Sequence, residues 1–143
     1  MAGYSGTPLW KKLGLKPGGS LALLNAPRGW AVPDLPSEVG AAKRTPQSLH
    51  SHEQSEVAVA FFKTLARMQE QLPKLADGIF PDGALWIAWP RRAAGHESDI
   101  RESDIRDAAL PLGLIDVKVA AIDEDWSGLR LVWRTERRAA SGI

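Results

Sequence analysis

Six side chains in this sequence have the type and placement to grip a small anion: Asn25, Arg28, Trp30, Lys63, Arg91 and Arg92. Each lies at or just beyond the end of an apolar run. Asn25 closes Ser20 to Asn25, Lys63 and Thr64 follow 56–62, and Arg91 and Arg92 follow Ala84 to Trp89 across Pro90. Paired guanidinium groups clamp a phosphate or carboxylate through parallel N–H donors. An indole adds a flat apolar wall with one donor. The competing reading is a set of solvated loop charges with no ligand.

These residues matter together only if the apolar runs are neighbouring strands of an open α/β sheet, where ligands sit beyond the carboxyl ends at the switch between the two wings. A nucleotide-binding sheet of that kind places Gly-x-Gly-x-x-Gly after its first strand, because glycine lets backbone approach a pyrophosphate at a helix N-terminus. Here the strand is followed by Ala26-Pro27-Arg28-Gly29-Trp30. One glycine remains, and Pro27 removes an N–H where an anion needs one.

Other constellations are incomplete. His50-Ser51-His52-Glu53, with His96 far along the chain, falls short of the three or four supported ligands of a metal site, so no metal is expected. Asp116 and the run Asp123-Glu124-Asp125 are carboxylates in a strand and a turn, where acids ordinarily face water. Ser5, Ser20 and Ser127 lack the Gly-x-Ser-x-Gly elbow of a hydrolase. No complete catalytic set is present, so the residues lean away from an enzyme.

Composition narrows the classes further. The 143 residues suit one domain, and 44% apolar with 24% charged residues is ordinary for a globular chain. Net charge is +1, although residues 1–50 hold six Lys/Arg against two Asp/Glu. That imbalance leaves room for an anion-facing patch, while the overall field argues against nucleic acid. There is no cysteine, hence no disulfide or thiolate chemistry. No apolar run reaches the ~18–20 residues of a membrane span. Met1 to Lys12 lacks the apolar core of a secretory signal. The expectation is a cytoplasmic protein without membrane contact.

The elements that must position the candidates follow from periodicity. Met1 to Gly6 is a loose arm. Thr7-Pro8 opens a short helix, with Thr7 as its cap, and Leu9, Trp10 and Leu13 form its apolar stripe. Pro27 to Trp30 is a turn or a short helix, Val39 to Lys43 a short edge strand, and Arg44 to Ser55 a loop. A helix with Leu65, Met68, Leu72 and Leu75 inward ends near Asp77-Gly78, with Pro73 placed to kink or split it. Glu97-Ser98-Asp99-Ile100-Arg101 is repeated at once as Glu102-Ser103-Asp104-Ile105-Arg106. The pair predicts one helix from Ser98 or Asp99, with Ile105, Ala108, Ala109 and Leu112 for packing. Leu114 to Ile122 and Leu129 to Thr135 form an antiparallel hairpin across Asp123–Gly128, with Leu129, Leu131 and Trp133 on one face. Residues 136–143 are a frayed tail. Trp86 and Trp89 point to opposite faces of one strand. Trp126, in the turn, is harder to bury locally; an exposed Trp beside a sheet edge would suggest an interface, against the alternative of packing.

Strands alternating with helices predict an α/β fold with a mostly parallel sheet. The order resembles a shortened Rossmann-like, class I methyltransferase domain. The resemblance rests on Leu15-Lys16-Pro17-Gly18 before the first strand, Phe80 to Ile87, and the closing pair Leu112 to Val117 with Leu129 to Arg134. The segments Ala2 to Gly14, Leu24 to Pro27, Trp89-Pro90 and Ala109 to Val119 through Leu129 also resemble a family of small bacterial proteins with a domain of unknown function. That likeness implies the fold and no particular reaction. In methyltransferases the cofactor lies at a glycine-rich turn with an acidic residue ending the second strand. Here Arg44 follows Val39–Lys43. The expectation is therefore no cofactor, with S-adenosylmethionine kept as the less favoured alternative. The leading reading is a non-catalytic, methyltransferase-like scaffold that forms a homo-oligomer or binds a protein partner. The alternative is a binder or enzyme for a small phosphate- or carboxylate-bearing ligand in the crevice of Asn25, Arg28, Trp30, Lys63, Arg91 and Arg92.

Overall fold

The computed structural model describes residues 7–45 and 57–137. The expectations for the arm 1–6, for most of the Arg44–Ser55 loop including His50 and His52, and for 138–143 lie outside the described residues.

In chain order the elements are α1 (Leu9–Lys12), β1 (Ser20–Leu24), β2 (Gly40–Arg44), β3 (Val57–Phe61), α2 (Leu65–Ile79), β4 (Ala84–Pro90), α3 (Glu102–Ala109), β5 (Leu114–Ala121) and β6 (Trp126–Trp133). They form one six-stranded sheet in the order β2-β1-β3-β4-β6-β5. β2, β1, β3 and β4 run parallel, and β6 runs antiparallel to both of its neighbours. The fold is α/β and mostly parallel, closed by an antiparallel pair. One feature of the order was not foreseen. The last strand does not extend the sheet from its edge; it lies between β4 and β5.

Alternation divides the sheet's side chains between two layers. Ala58, Ala60, Leu85, Ile87, Trp89, Leu129, Leu131 and Trp133 face α2 and α3, where Met68, Leu72, Leu75 and Ile105 meet them. Val57, Val59, Phe61, Trp86 and Ala88 face the other way, against Leu13, Leu15, Val32 and Val39. That second layer is built from α1 and an irregular chain, because Pro27, Pro33 and Pro36 break any helix there. Two indoles fasten the layers. Trp86 donates to the carbonyl of Leu13 at 3.1 Å, and Trp133 to that of Ala76 at 2.9 Å. Both acceptors are end-of-helix carbonyls without a partner in their own helix.

Four local expectations need correction. Pro8, not Thr7, is the N-cap of α1, without a side-chain cap. Pro73 neither splits nor ends α2. It lies on the exposed side of the helix with Gln69. α3 begins at Glu102, so the repeat folds once as irregular chain with a bend at Asp99 and once as helix. In the first copy Asp99 caps another helix, accepting the N–H of Leu65 at 2.7 Å. In the second, Asp104 accepts the N–H of Arg101 at 2.9 Å and opens its own. Ile100 and Ile105 are both buried. Finally, β6 starts at Trp126, three residues before the expected Leu129. The Asp123 carboxylate accepts the N–H groups of Asp125 and Trp126 at 2.8 and 2.9 Å and tightens the turn. Trp126 is thereby buried, at 8% exposure, rather than displayed.

β6 can pass Trp86 only because residue 128 is glycine. A Cβ there would lie 2.6 Å from Ile122 Cδ1 and 3.0 Å from Trp86 Cε3. Ile122 can yield, but Trp86 is fully buried. Gly128→Ala is predicted to cost about 1–3 kcal/mol in urea denaturation, as overpacking does. An unchanged midpoint would contradict this packing. Asp99→Ala is predicted to cost ~1 kcal/mol through the lost cap on α2, with loss of amide-exchange protection in its first turn. Protection lost elsewhere instead would contradict the cap.

Arg106 joins α3 to β5, pairing with Glu102 and, at 2.8 Å, with Asp116. The hydrogen bond from Arg106 holds the Asp116 carboxyl below its ordinary value of 3.8, against an opposing desolvation effect. A depressed carboxyl contributes stability that is present above 3.8 and is lost as pH falls through its lower folded value. The wild type should therefore be modestly more stable than Asp116→Asn at neutral pH, and the two should converge in acid. A difference that persists in acid would show that the pair is not its source.

Candidate functional site

The parallel strands end on one side of the sheet, and four connections gather there. The β1–β2 segment begins at Asn25 in the left-handed region, φ 59, and turns at Pro27–Trp30, where the Trp30 N–H donates to the Pro27 carbonyl at 3.0 Å. The β3–α2 link carries Phe62, Lys63 and Thr64. The β4–α3 link carries Arg91, Arg92 and the first copy of the repeat, and the β5–β6 turn carries Asp123 to Asp125. β1 pairs with β3 in parallel, so Asn25 and Lys63 flank the switch between the wings of the sheet.

A crevice of about 340 Å³ opens at that switch, lined by Asn25, Pro27, Phe61, Phe62, Lys63, Thr64, Arg67 and Trp126. This volume is at the lower end of small-molecule pockets. Its walls differ in character. Pro27, Phe61, Phe62 and Trp126 are apolar; Asn25, Lys63, Thr64 and Arg67 carry donors. Asn25 is steadied by Gln71, its Nδ2 donating to Oε1 at 3.0 Å. The first turn of α2 enters the crevice, with Thr64 Oγ1 accepting from the Arg67 N–H and Asp99 from that of Leu65.

The structure brings together two of the six candidates, Asn25 and Lys63, with Thr64 beside them. Trp30 stands behind the crevice. Its ring meets Phe61 edge-on at 4.8 Å, and Phe61 meets Trp126 at 5.0 Å, so three aromatic rings form one partition. Trp30 lines a second cleft on the far side and donates its indole N–H to Asp123 at 2.9 Å. Arg28 is exposed on the turn. Arg91 Nη1 donates to the carbonyls of Asp123 and Glu124, both at 3.3 Å, and so holds the β5–β6 turn. Arg92 donates to the carbonyl of Ser98 at 3.4 Å. His96 pairs with Asp125 at 2.9 Å. Among the described residues no three potential metal ligands converge, and no helix is long and apolar enough to cross a membrane.

Sequence reasoning missed Arg67 and Trp126. Arg67 lies in the first turn of α2, just after Lys63 and Thr64, and its place at the helix start beside the strand end was the available signal. Trp126 reaches the crevice only because β6 starts early.

No family model matches the chain, and no curated protein matches it in sequence. Solved structures do match in fold. A protein of the NADB-Rossmann superfamily from Streptococcus agalactiae is similar at TM-score 0.56 and 10% identity, over 87% of this chain and 67% of that one. LepI in complex with S-adenosylmethionine (SAM) is similar at 0.53 and 11%, over 88% of this chain and 39% of LepI; a LepI variant with S-adenosylhomocysteine (SAH) and a substrate analogue gives 0.53 and 10% over the same spans. Magnesium protoporphyrin IX methyltransferase from Synechocystis PCC 6803 with bound SAM gives 0.48 and 12%, over 67% and 46%. The chain thus spans well under half of LepI. The expectation of no cofactor is corrected by these comparisons, since LepI, which shares this architecture, holds SAM or SAH. The degenerate glycine loop is too narrow a ground for that exclusion, because the fold's pocket draws on several strand ends. The chain has a Rossmann-like α/β fold.

Proposed function

We propose that this chain is a methyltransferase-like binding module whose crevice holds a small molecule with a flat ring and an anionic group. The observation that supports it is the two-sided lining: Phe61, Phe62, Trp126 and Pro27 against Asn25, Lys63, Thr64 and Arg67. A purine stacks on aromatic rings, and a carboxylate or phosphate accepts from an ammonium and a guanidinium.

The cofactor seen in the LepI structures fits this lining in part. Its adenine suits the aromatic wall and its amino-acid carboxylate suits Lys63 and Arg67. Its sulfonium is less well served, because two cations line the crevice and raise the potential there. Arg44 ends β2 where methyltransferases place a ribose-binding acid. SAH, whose sulfur is uncharged, suits the lining better than SAM. Bound there, the cofactor would supply an adenosyl group and, as SAM, an activated methyl. The crevice's own charged side chains are a lysine and an arginine. They hold and orient a ligand and are poor at accepting a proton. The reading is accordingly a holder rather than a catalyst.

Titration calorimetry with SAH, SAM and adenosine tests this. SAH is predicted to bind most tightly, and adenosine, which lacks the carboxylate, at least about tenfold more weakly, a difference of about 1.4 kcal/mol. A Lys63→Ala/Arg67→Ala variant should lose that preference, and added salt should weaken it. Equal affinity for SAH and adenosine, or no binding of either, would overturn the reading.

A further inference from the structure

The aromatic partition has a second side, and its chemistry is the opposite of the first. Behind Trp30 lies a cleft of about 430 Å³. Leu9, Trp30 and Ile122 give it apolar walls, and its charged lining residues are Asp34, Asp123 and Glu124 against Lys12. The surplus is negative. Arg91 reaches the same turn, but it donates to the carbonyls of Asp123 and Glu124 and does not line the cleft.

We propose that this cleft is a binding site for a small organic cation, an alkyl- or tetraalkylammonium compound. Three features converge on that class. The first is a half-open, mainly apolar cleft of small-molecule size, which accommodates the alkyl groups. The second is an indole in its wall, since Trp is the best aromatic partner for a cation. The third is the charge surplus, which favours a cation over a neutral molecule of equal shape.

The site is also held in shape from within. Asp123 is fixed through four atoms of its surroundings. Its Oδ2 takes the Trp30 indole N–H, its Oδ1 takes two backbone N–H groups, and Arg91 holds its carbonyl. Trp30 is braced edge-on by Phe61. The indole and the carboxylate are therefore preset relative to each other, which lowers the ordering cost of binding. Asp34 and Glu124 are exposed on the rim and supply charge without a structural duty in the turn. The basic crevice and the acidic cleft share the partition, so one aromatic wall separates an anion-selective from a cation-selective pocket.

The test follows the Trp30 indole N–H in proton–nitrogen correlation spectra of the whole chain. The probes are choline and the uncharged alcohol in which its nitrogen is replaced by carbon. Choline is predicted to shift that resonance in a saturable way, and the alcohol to bind at least about fivefold more weakly. Asp34→Asn/Glu124→Gln should weaken choline about fivefold or more while leaving the spectrum otherwise intact, since asparagine tolerates the left-handed backbone at residue 34, φ 56. Equal binding of the alcohol, or unaltered choline affinity in the variant, would overturn the proposal. Tighter binding of a Gly-Lys-Gly peptide than of choline would also overturn it, because the cleft would then serve protein lysines. This result is independent of whether SAH binds the crevice, since Lys63 and Arg67 lie on the other side of the partition.

Discussion

The contact between Trp86, Gly128 and Ile122 is the constraint on which the rest of the architecture depends. β6 has to lie between β4 and β5, and on the α1 side of the sheet it must cross the fully buried indole of Trp86. It does so by presenting bare backbone at residue 128. Trp86 in turn donates to Leu13, so the same ring that fixes the position of β6 also fixes α1. If this contact is displaced, the β5–β6 turn moves, and with it Asp123, Trp126 and the partition between the clefts.

The upper side of the sheet is organised by a chain of interactions that starts at this turn. Asp123 folds the turn, accepts Trp30, and is backed by Arg91; Trp126 then meets Phe61, and Phe61 meets Trp30. The β1–β2 segment, β3, the β4–α3 link and the β5–β6 turn are locked to one another without a cofactor loop of the glycine-rich kind. Asp99 adds a second tie, from the β4–α3 link to the start of α2 beside Lys63. This gives a physical account of how a chain with Pro27 in its first loop can keep a shaped crevice at the switch point.

Much of this was legible in the sequence where periodicity decides the outcome. The alternation of 84–89 separated Trp86 from Trp89, and that of Leu129, Leu131 and Trp133 named the helix-facing side of β6. What failed were features that depend on side-chain hydrogen bonds to distant backbone. The acids at 123–125 looked like a solvated turn, yet Asp123 is the acceptor that lengthens β6 and buries Trp126. Arg91 looked like half of an anion clamp, yet carbonyls of the turn take its guanidinium. The two copies of Glu-Ser-Asp-Ile-Arg carry the same local propensity. They differ in fold because the first meets the open end of α2 and the second is free to start its own helix. No window of local sequence contains that difference.

The central claim is that the crevice between Asn25 and Lys63 is where this fold holds its ligand, and amide-shift mapping with SAH tests it most directly. The account predicts saturable shifts confined to Asn25, Phe62, Lys63, Thr64, Arg67 and the Trp126 indole, with Leu9 and Asp34 unmoved. Shifts centred on the Leu9–Asp34 side of the partition, or none anywhere at saturating SAH, would contradict it.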